Sequence, residues 1–241
     1  MDPILEQQDI TIVVLSDTHN SIKKISIPKG DILIHCGDFT TTSHPEEYED
    51  FISYLKTDTN FKYKIVIAGN HDLFMDPPFY DAMLKDLYHK GFDYNFDLAN
   101  EYKEKIKQNC IYLENSGCEI MGLKLFGAPT MPEDYLCPFS RQRGSKMLAQ
   151  WKKIPNDVDI LITHTPPKGI LDLTLKEKNA GCLDLREEVE NRIRPKLHVF
   201  GHIHESYGIS FQKDIIYVNA AICNRSYKPI NMPVVFSWKR G

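Results

Sequence analysis

Dense basic runs, paired cysteines and long apolar stretches are all missing from this chain, and each absence removes a class of function. The formal charge is -4, with 29 Lys and Arg against 33 Asp and Glu. The cations are scattered, so long nucleic acid is not an expected partner. The six cysteines, Cys36, Cys110, Cys118, Cys137, Cys182 and Cys223, lie far apart with no CxxC spacing. They signal neither a zinc-thiolate site nor a disulfide framework, and reduced, mostly buried thiols are expected. No apolar run approaches the ~20 residues that cross a bilayer. The start, MDPILEQQDI, carries early acids and no apolar region of secretory type, so a cytoplasmic location and no membrane partner are expected. No repeat, low-complexity tract or long polar linker divides the 241 residues, of which 42% are hydrophobic. One domain over 1–241 with a sizeable core is expected.

Apolar, β-branched runs of strand length occur at Ile10–Leu15, Ile32–Cys36, Tyr63–Ala68, Cys110–Leu113, Leu123–Phe126, Val158–Ile162, Leu197–Phe200, Ile215–Val218 and Val234–Ser237. Helical patterns lie between them at Pro45–Lys56, Phe79–His89, Leu98–Gln108, Arg141–Lys152 and Leu183–Ile193. Strands alternate with helices in the first third, as in parallel units, while Cys110–Phe126 and Tyr207–Val218 read as hairpin regions. The fold class is α/β, with two packed mixed sheets flanked by helices. Two loops stand out. Ala128 to Ser140 holds Pro129, Pro132 and Pro138 with Met131, Tyr135 and Phe139, a length that is often functional and suits a substrate-side wall. Phe74 to Tyr80 is unusually apolar for a loop, and packing beneath a site is its expected role.

Five polar clusters end five of the apolar runs: Asp17-Thr18-His19, Gly37-Asp38, Gly69-Asn70-His71-Asp72, Thr163-His164-Thr165 and Gly201-His202-Ile203-His204. Loops leaving the carboxyl ends of strands in an open α/β sheet lie side by side, which turns sequence distance into proximity. Asp, His and Asn side chains brought together in this way suit two divalent cations bound by oxygen and imidazole. Asp17 and His19, two apart, can point the same way. Asp38 offers two carboxylate oxygens able to bridge cations about 3.5–4 Å apart. His202 and His204 can each serve a different metal, and Asn70 and His164 complete the second site. Alone, each cluster is an ordinary turn or cap; their ordered conjunction at strand ends is not. The remaining histidines, His35, His44, His89 and His198, have no such context.

The order D-x-H, G-D, G-N-H-[DE], a single His, and G-H-x-H resembles the calcineurin-like metallophosphoesterase superfamily, from Asp17 to about Asn231. Beyond these motifs, the stretches from Gly30 to His35, Asp159 to His164, Pro195 to Glu205 and Tyr217 to Ala220 resemble its metallophosphoesterase-domain-containing branch, known in vertebrates as brain-expressed phosphodiesterases. The resemblance implies a four-layer α/β/β/α sandwich. It implies one metal on Asp17, His19, Asp38 and His204 and a second on Asp38, Asn70, His164 and His202, with Asp38 bridging. Manganese, iron and zinc all occur in the family. Attack by a water activated between the metals is implied, with His71 as proton donor to the leaving alkoxide and Asp72 holding that imidazole charged and oriented. Asn70 and His71 would also contact substrate.

A small phosphodiester such as a cyclic nucleotide is the substrate the resemblance favours. Protein Ser/Thr phosphatases continue their second motif into an Asp-Arg-Gly segment, whereas Gly37-Asp38 runs on as Phe39-Thr40-Thr41-Thr42. A phosphatase or phosphomonoesterase is the alternative within enzymes, and a non-catalytic metal-bound scaffold the alternative outside them. Arg141, Arg143 and Lys168 are placed to contact phosphate or to lie solvated.

Overall fold

The computed structural model describes residues 9–88, 95, 97–133 and 136–239. His89, Tyr135 and the acidic start at residues 1–8 lie outside them. In chain order the first half comprises β1 (Ile10–Leu15), β2 (Ile32–Cys36), α1 (Pro45–Thr57), β3 (Tyr63–Ile67), α2 (Pro77–Tyr88), α3 (Leu98–Lys107) and β4 (Ile111–Tyr112). There follow β5 (Ser116–Ile120), β6 (Leu123–Ala128), β7 (Met131–Pro132), β8 (Ser140–Arg141), α4 (Ser145–Trp151), β9 (Ile160–Thr163), α5 (Leu183–Glu188), β10 (Leu197–Phe200), β11 (Gly208–Gln212), β12 (Ile215–Asn219) and β13 (Val234–Trp238).

One sheet has the order β13-β1-β2-β3-β4 and the other β11-β12-β10-β9-β6-β5. The inner strands are parallel, while β13, β11 and β5 run antiparallel at the edges. Alternation along each strand sorts the side chains into layers. In β1, Ile10, Ile12 and Val14 face an inter-sheet core that also takes Ile160, Ile162 and Val199 of the second sheet. Val13 and Leu15 face outward, where Tyr48, Phe51, Leu84 and Ile106 bring α1, α2 and α3 against the sheet. On the far side, Met147, Trp151 and Leu185 bring α4 and α5 over Leu161 and Tyr217. Three apolar layers between four layers of structure make the α/β/β/α sandwich.

Several expected boundaries shift for local reasons. The hairpin within Cys110–Phe126 is formed by β5 and β6 around Met121 and Gly122, both at positive φ. The Cys110 run contributes β4 to the other sheet, pairing with β3. Likewise β11 and β12 turn at Lys213 and Asp214, both at positive φ, as a two-residue turn matched to strand twist requires. The helix expected from Arg141 starts only at Ser145, because Gly144 at φ 85 breaks the preceding chain and Arg141 belongs to β8. The helix expected over Leu183–Ile193 widens to a π turn after Glu188 and stops at Arg194 in the left-handed region.

His198 on β10 is fully buried and its Nε2 lies 2.8 Å from Thr163 Oγ1. Thr163 Oγ1 donates its own proton to Thr165 O, so His198 Nε2–H is the donor, and Nδ1 has no partner among the described residues. Protonating Nδ1 would bury an unmatched charge, and burial pushes this imidazole down to about 3 from 6.5. The folded state therefore refuses a proton that the unfolded chain accepts below pH 6.5, and stability falls as pH drops from there toward 3. A His198→Gln variant, measured by denaturant unfolding, is expected to lose about 2 kcal/mol less stability than the parent between pH 7 and pH 5. Parallel curves for the two proteins would refute this account.

Candidate metal centre

The strands β1, β2, β3, β9 and β10 all deliver their polar clusters to one edge, where the two sheets are stitched together. Ser16 N donates to Ala220 O and Ile222 N to Ser16 O, joining the end of β1 to the end of β12. Asp17 N donates to Gly37 O, His19 N to Asp38 O, and Gly201 N to His164 O. These bonds draw the chain into tight loops, and Asp17, His19, Asp38 and His202 all take positive φ, at 51, 40, 55 and 69°. Such backbone is uncommon for residues with a Cβ and concentrates at functional sites. Two glycines allow the close approach. A Cβ on Gly69 would collide with Asp38 Oδ1 and His164 Cε1, and one on Gly201 with Asp17 Oδ2 and Ser16 Oγ.

Two groups of ligand-type atoms result: Asp17, His19 and His204 in one, and Asp38, His164 and His202 in the other, the atoms of each lying within 4.8 Å of one another. Asp38 stands between them, with Oδ2 3.4 Å from His164 Nε2 and 3.9 Å from His19 Nε2. Asn70 Oδ1 lies 3.0 Å from His164 Nε2. His202 and His204, two apart in sequence, are divided between the groups.

The proton positions test whether these residues fit cations. Nδ1 of His19, His164 and His204 each lies 2.8–3.0 Å from a backbone carbonyl, of Thr40, Cys36 and Asn224. A carbonyl only accepts, so Nδ1 carries the proton and each neutral ring turns an Nε2 lone pair inward. Yet His19 Nε2 faces His204 Nε2 at 3.1 Å, and His204 Nε2 faces Asp17 Oδ1 at 3.2 Å. Lone pairs converge on lone pairs, which only extra protons or cations reconcile. The carbonyl anchoring is the arrangement that orients metal-ligating histidines. The donors of nitrogen and oxygen, without thiolate, suit borderline divalent metals.

The electrostatics agree. Burial alone would raise the Asp17 carboxyl, but the His204 bond and charge hold it below the usual range. Burial likewise opposes ionisation of Asp38, and the His164 charge and bond overcome it. Burial lowers His164, yet the Asp38 charge and bond lift it to about 9. Burial pushes His202 down to about 4, leaving its ring neutral and able to donate a lone pair.

His71 and Asp72 correct one expectation. Asp72 does not reach the His71 ring. Its Oδ2 accepts from Asp38 N and Gly69 N at 2.8 Å, and its Oδ1 accepts from Thr40 N at 2.9 Å. Burial raises this carboxyl to about 7 and the Asp38 charge adds to that, against the pull of the backbone donors. The short Asp side chain is consumed in tying the loop after β2 to the loop after β3. His71 is instead oriented by the Thr41 carbonyl, 2.6 Å from Nδ1, and its backbone N donates to Asp38 Oδ1.

A cavity of about 210 Å³ opens over the two groups, lined by Asp38, Asn70, His71, His202, His204, Glu205, Arg225 and Tyr227. Arg225 and Tyr227 were not singled out from sequence. The Tyr227 ring sits 4.6 Å from that of His19, and Arg225 Nε lies 3.7 Å from Glu205 Oε1. The turn that presents them is closed by Asn224 Oδ1, which accepts from Ser226 N and Lys228 N, and an Asn three residues before an aromatic is the one hint in the sequence. Arg141, Arg143 and Lys168, weighed as phosphate contacts, do not line this cavity. Two buried residues outside the groups position them. His35 bonds Thr18 Oγ1 and Gly37 N, linking the first two clusters, and Asn219 Nδ2 donates to Ile203 O between the two histidines of the last. His44 is exposed ahead of α1.

Residues 10–206 match the profile of the Calcineurin-like phosphoesterase family. The human Metallophosphoesterase domain-containing protein 1 is 42% identical over 228 residues, covering 92% of this chain and 69% of its own length. A UPF0046 protein of Caenorhabditis elegans is 38% identical over 229 residues, covering 94% and 74%. One solved crystal structure superposes with a TM-score of 0.56 at 14% identity, covering 88% of this chain and 90% of its own, a likeness of fold.

The shared position of Asp38 sets an asymmetry that metal analysis can read. Asp38→Ala is expected to lower bound metal at both groups together, whereas His204→Ala removes mainly one equivalent. Elemental analysis of purified variants checks this, and equal losses from both would disprove it.

Proposed function

The chain belongs to the calcineurin-like phosphoesterase family, and on that footing we propose that it is a phosphodiesterase acting on a small phosphodiester such as a cyclic nucleotide, with two divalent cations of manganese, iron or zinc. The observation that carries this reading is the pair of facing ligand groups with Asp38 between them and His71 alongside. Bound there, two cations would lower the proton affinity of a shared water and neutralise phosphoryl oxygens. Asp17, His19, Asp38 and His204 would hold one, and Asp38, Asn70, His164 and His202 the other.

The chain's own side chains supply the rest. With Nδ1 committed to the Thr41 carbonyl, His71 has Nε2 left to give a proton to the departing ester oxygen. The Arg225 guanidinium, whose partner among the described residues is Glu205 at 3.7 Å, offers charge to a non-bridging phosphoryl oxygen, and the Tyr227 ring offers a face to the group attached to it. A small substrate accords with the 210 Å³ cavity and the -4 charge. Phosphoprotein substrates are disfavoured by the segment after Asp38. Phe39 is buried in the core, Thr40 Oγ1 is taken up by Asp72 and the His71 carbonyl, and the segment Phe39-Thr40-Thr41-Thr42 has no arginine to grip phosphate.

The test is an activity panel with added manganese: bis-p-nitrophenyl phosphate, p-nitrophenyl phosphate, cyclic nucleotides and a phosphopeptide. Preference for the diesters is expected. Preference for the phosphopeptide would reverse the reading, and no turnover with any metal would favour a scaffold. His71→Ala is expected to keep metal and fold while losing about 10²–10⁴ in rate on diesters with poor leaving groups, and less on nitrophenyl esters. A variant that loses metal instead would make His71 a ligand.

A further inference from the structure

Beside the metal-side cavity lies a second groove, of about 290 Å³, and the two share Asn70 and His71 as a common wall. Their chemistry differs. The first is lined by carboxylates, imidazoles and a guanidinium. The second is walled by Leu73, Phe79, Met83, Leu136 and Pro138, and among the described residues no Asp, Glu, Lys or Arg lines it. The two loops marked out in the sequence build it from opposite sides. Asp76 fixes them to each other: Oδ2 accepts from Phe139 N at 2.8 Å, while its backbone O accepts from Tyr80 N in α2. Phe74 and Phe139, each next in sequence to a lining residue, Leu73 and Pro138, are buried in the core. Leu136 stands at its rim, 78% exposed, an apolar side chain that solvent alone does not favour.

We infer that this groove is the subsite of the leaving alcohol, and that the alcohol carries an aromatic or other compact apolar group. The inference rests on the phosphoesterase reading above and narrows its substrate to an acyclic diester of two separate alcohols, since a cyclic nucleotide carries both ester oxygens on one sugar and releases no alcohol. A phosphorus centred over the ligand groups has one ester substituent facing Arg225 and Tyr227 and the other passing His71 into the groove. The volume suits a single or fused ring, since an apolar cavity of about 150 Å³ already holds benzene. In the reaction the oxygen of water bonds to phosphorus and the P–O bond to the grooved alcohol breaks, its electron pair leaving on the ester oxygen. That oxygen takes the proton from His71, the ring regains one from the attacking water, and the products are a phosphomonoester and the apolar alcohol.

An unsymmetrical diester whose two alcohols are similarly basic reads the subsite directly. With 2-phenylethyl methyl phosphate and manganese, 2-phenylethanol is expected to be released over methanol by about tenfold, the scale on which apolar pockets discriminate. Leu136→Asp, at an exposed position, should shrink that ratio toward one. Equal release by the parent, or a ratio unmoved by Leu136→Asp, overturns the inference. Turnover of 2-phenylethyl phosphate without turnover of any diester would instead sink the diesterase reading. The groove then still requires about tenfold preference over methyl phosphate. A binding readout covers an inactive protein. By calorimetry, 2-phenylethylphosphonate should bind the parent about tenfold more tightly than methylphosphonate, and equal affinities overturn the assignment.

Discussion

The Asp72 carboxylate takes N–H bonds from Asp38, Thr40 and Gly69, and through them one buried side chain sets the spacing of the loops that leave β2 and β3. Asp38 carries the oxygen that stands between the two ligand groups, and Gly69 precedes Asn70 and His71, so three chemically distinct tasks share one anchor. An unsatisfied buried N–H costs about 1–3 kcal/mol, and the carboxylate answers three of them at once. The anchor is a member of neither ligand group. It acts by removing alternatives to the loops.

That constraint explains where strain is tolerated. Four proposed ligands have positive φ, a conformation that residues with a Cβ avoid unless neighbours overdetermine it. Here the neighbours are backbone bonds crossing from loop to loop, the His35 bridge between the first two clusters, and the Asn219 amide under the last. Gly69 and Gly201 give way so that carboxylates can lie against the chain. The sandwich brings the strands close, and the loop bonds convert closeness into fixed direction.

Much of this was legible in the sequence because it depends on period and position. Strand-length apolar runs ending in Asp, Asn or His encode both the sheet and its functional edge, and period-two alternation assigns Ile12 and Val13 to opposite layers. What escaped was set by three-dimensional bonding. Asp72 beside His71 looked like its orienting partner, yet the loop after β2 competes for the same carboxylate and wins. Arg225 and Tyr227 carry no motif, and a turn closed by Asn224 brings them over the first ligand group. The hairpin of β5 and β6 was placed only to within a region, since a polar run such as Ser116–Ile120 gains its strand from the neighbour it pairs with.

The Asp76 clamp has a consequence for how such a protein diversifies. Its carboxylate joins the Phe139 backbone to the start of α2 and belongs to neither ligand group. The walls that meet there are thus tied by bonds of their own, added to those by which Asp72 holds the adjoining loops. Side chains such as Met83 and Leu136 belong to neither ligand group, so the subsite proposed for the alcohol can change generation by generation, by inheritance of altered walls alone, while Asp38 and His164 stay.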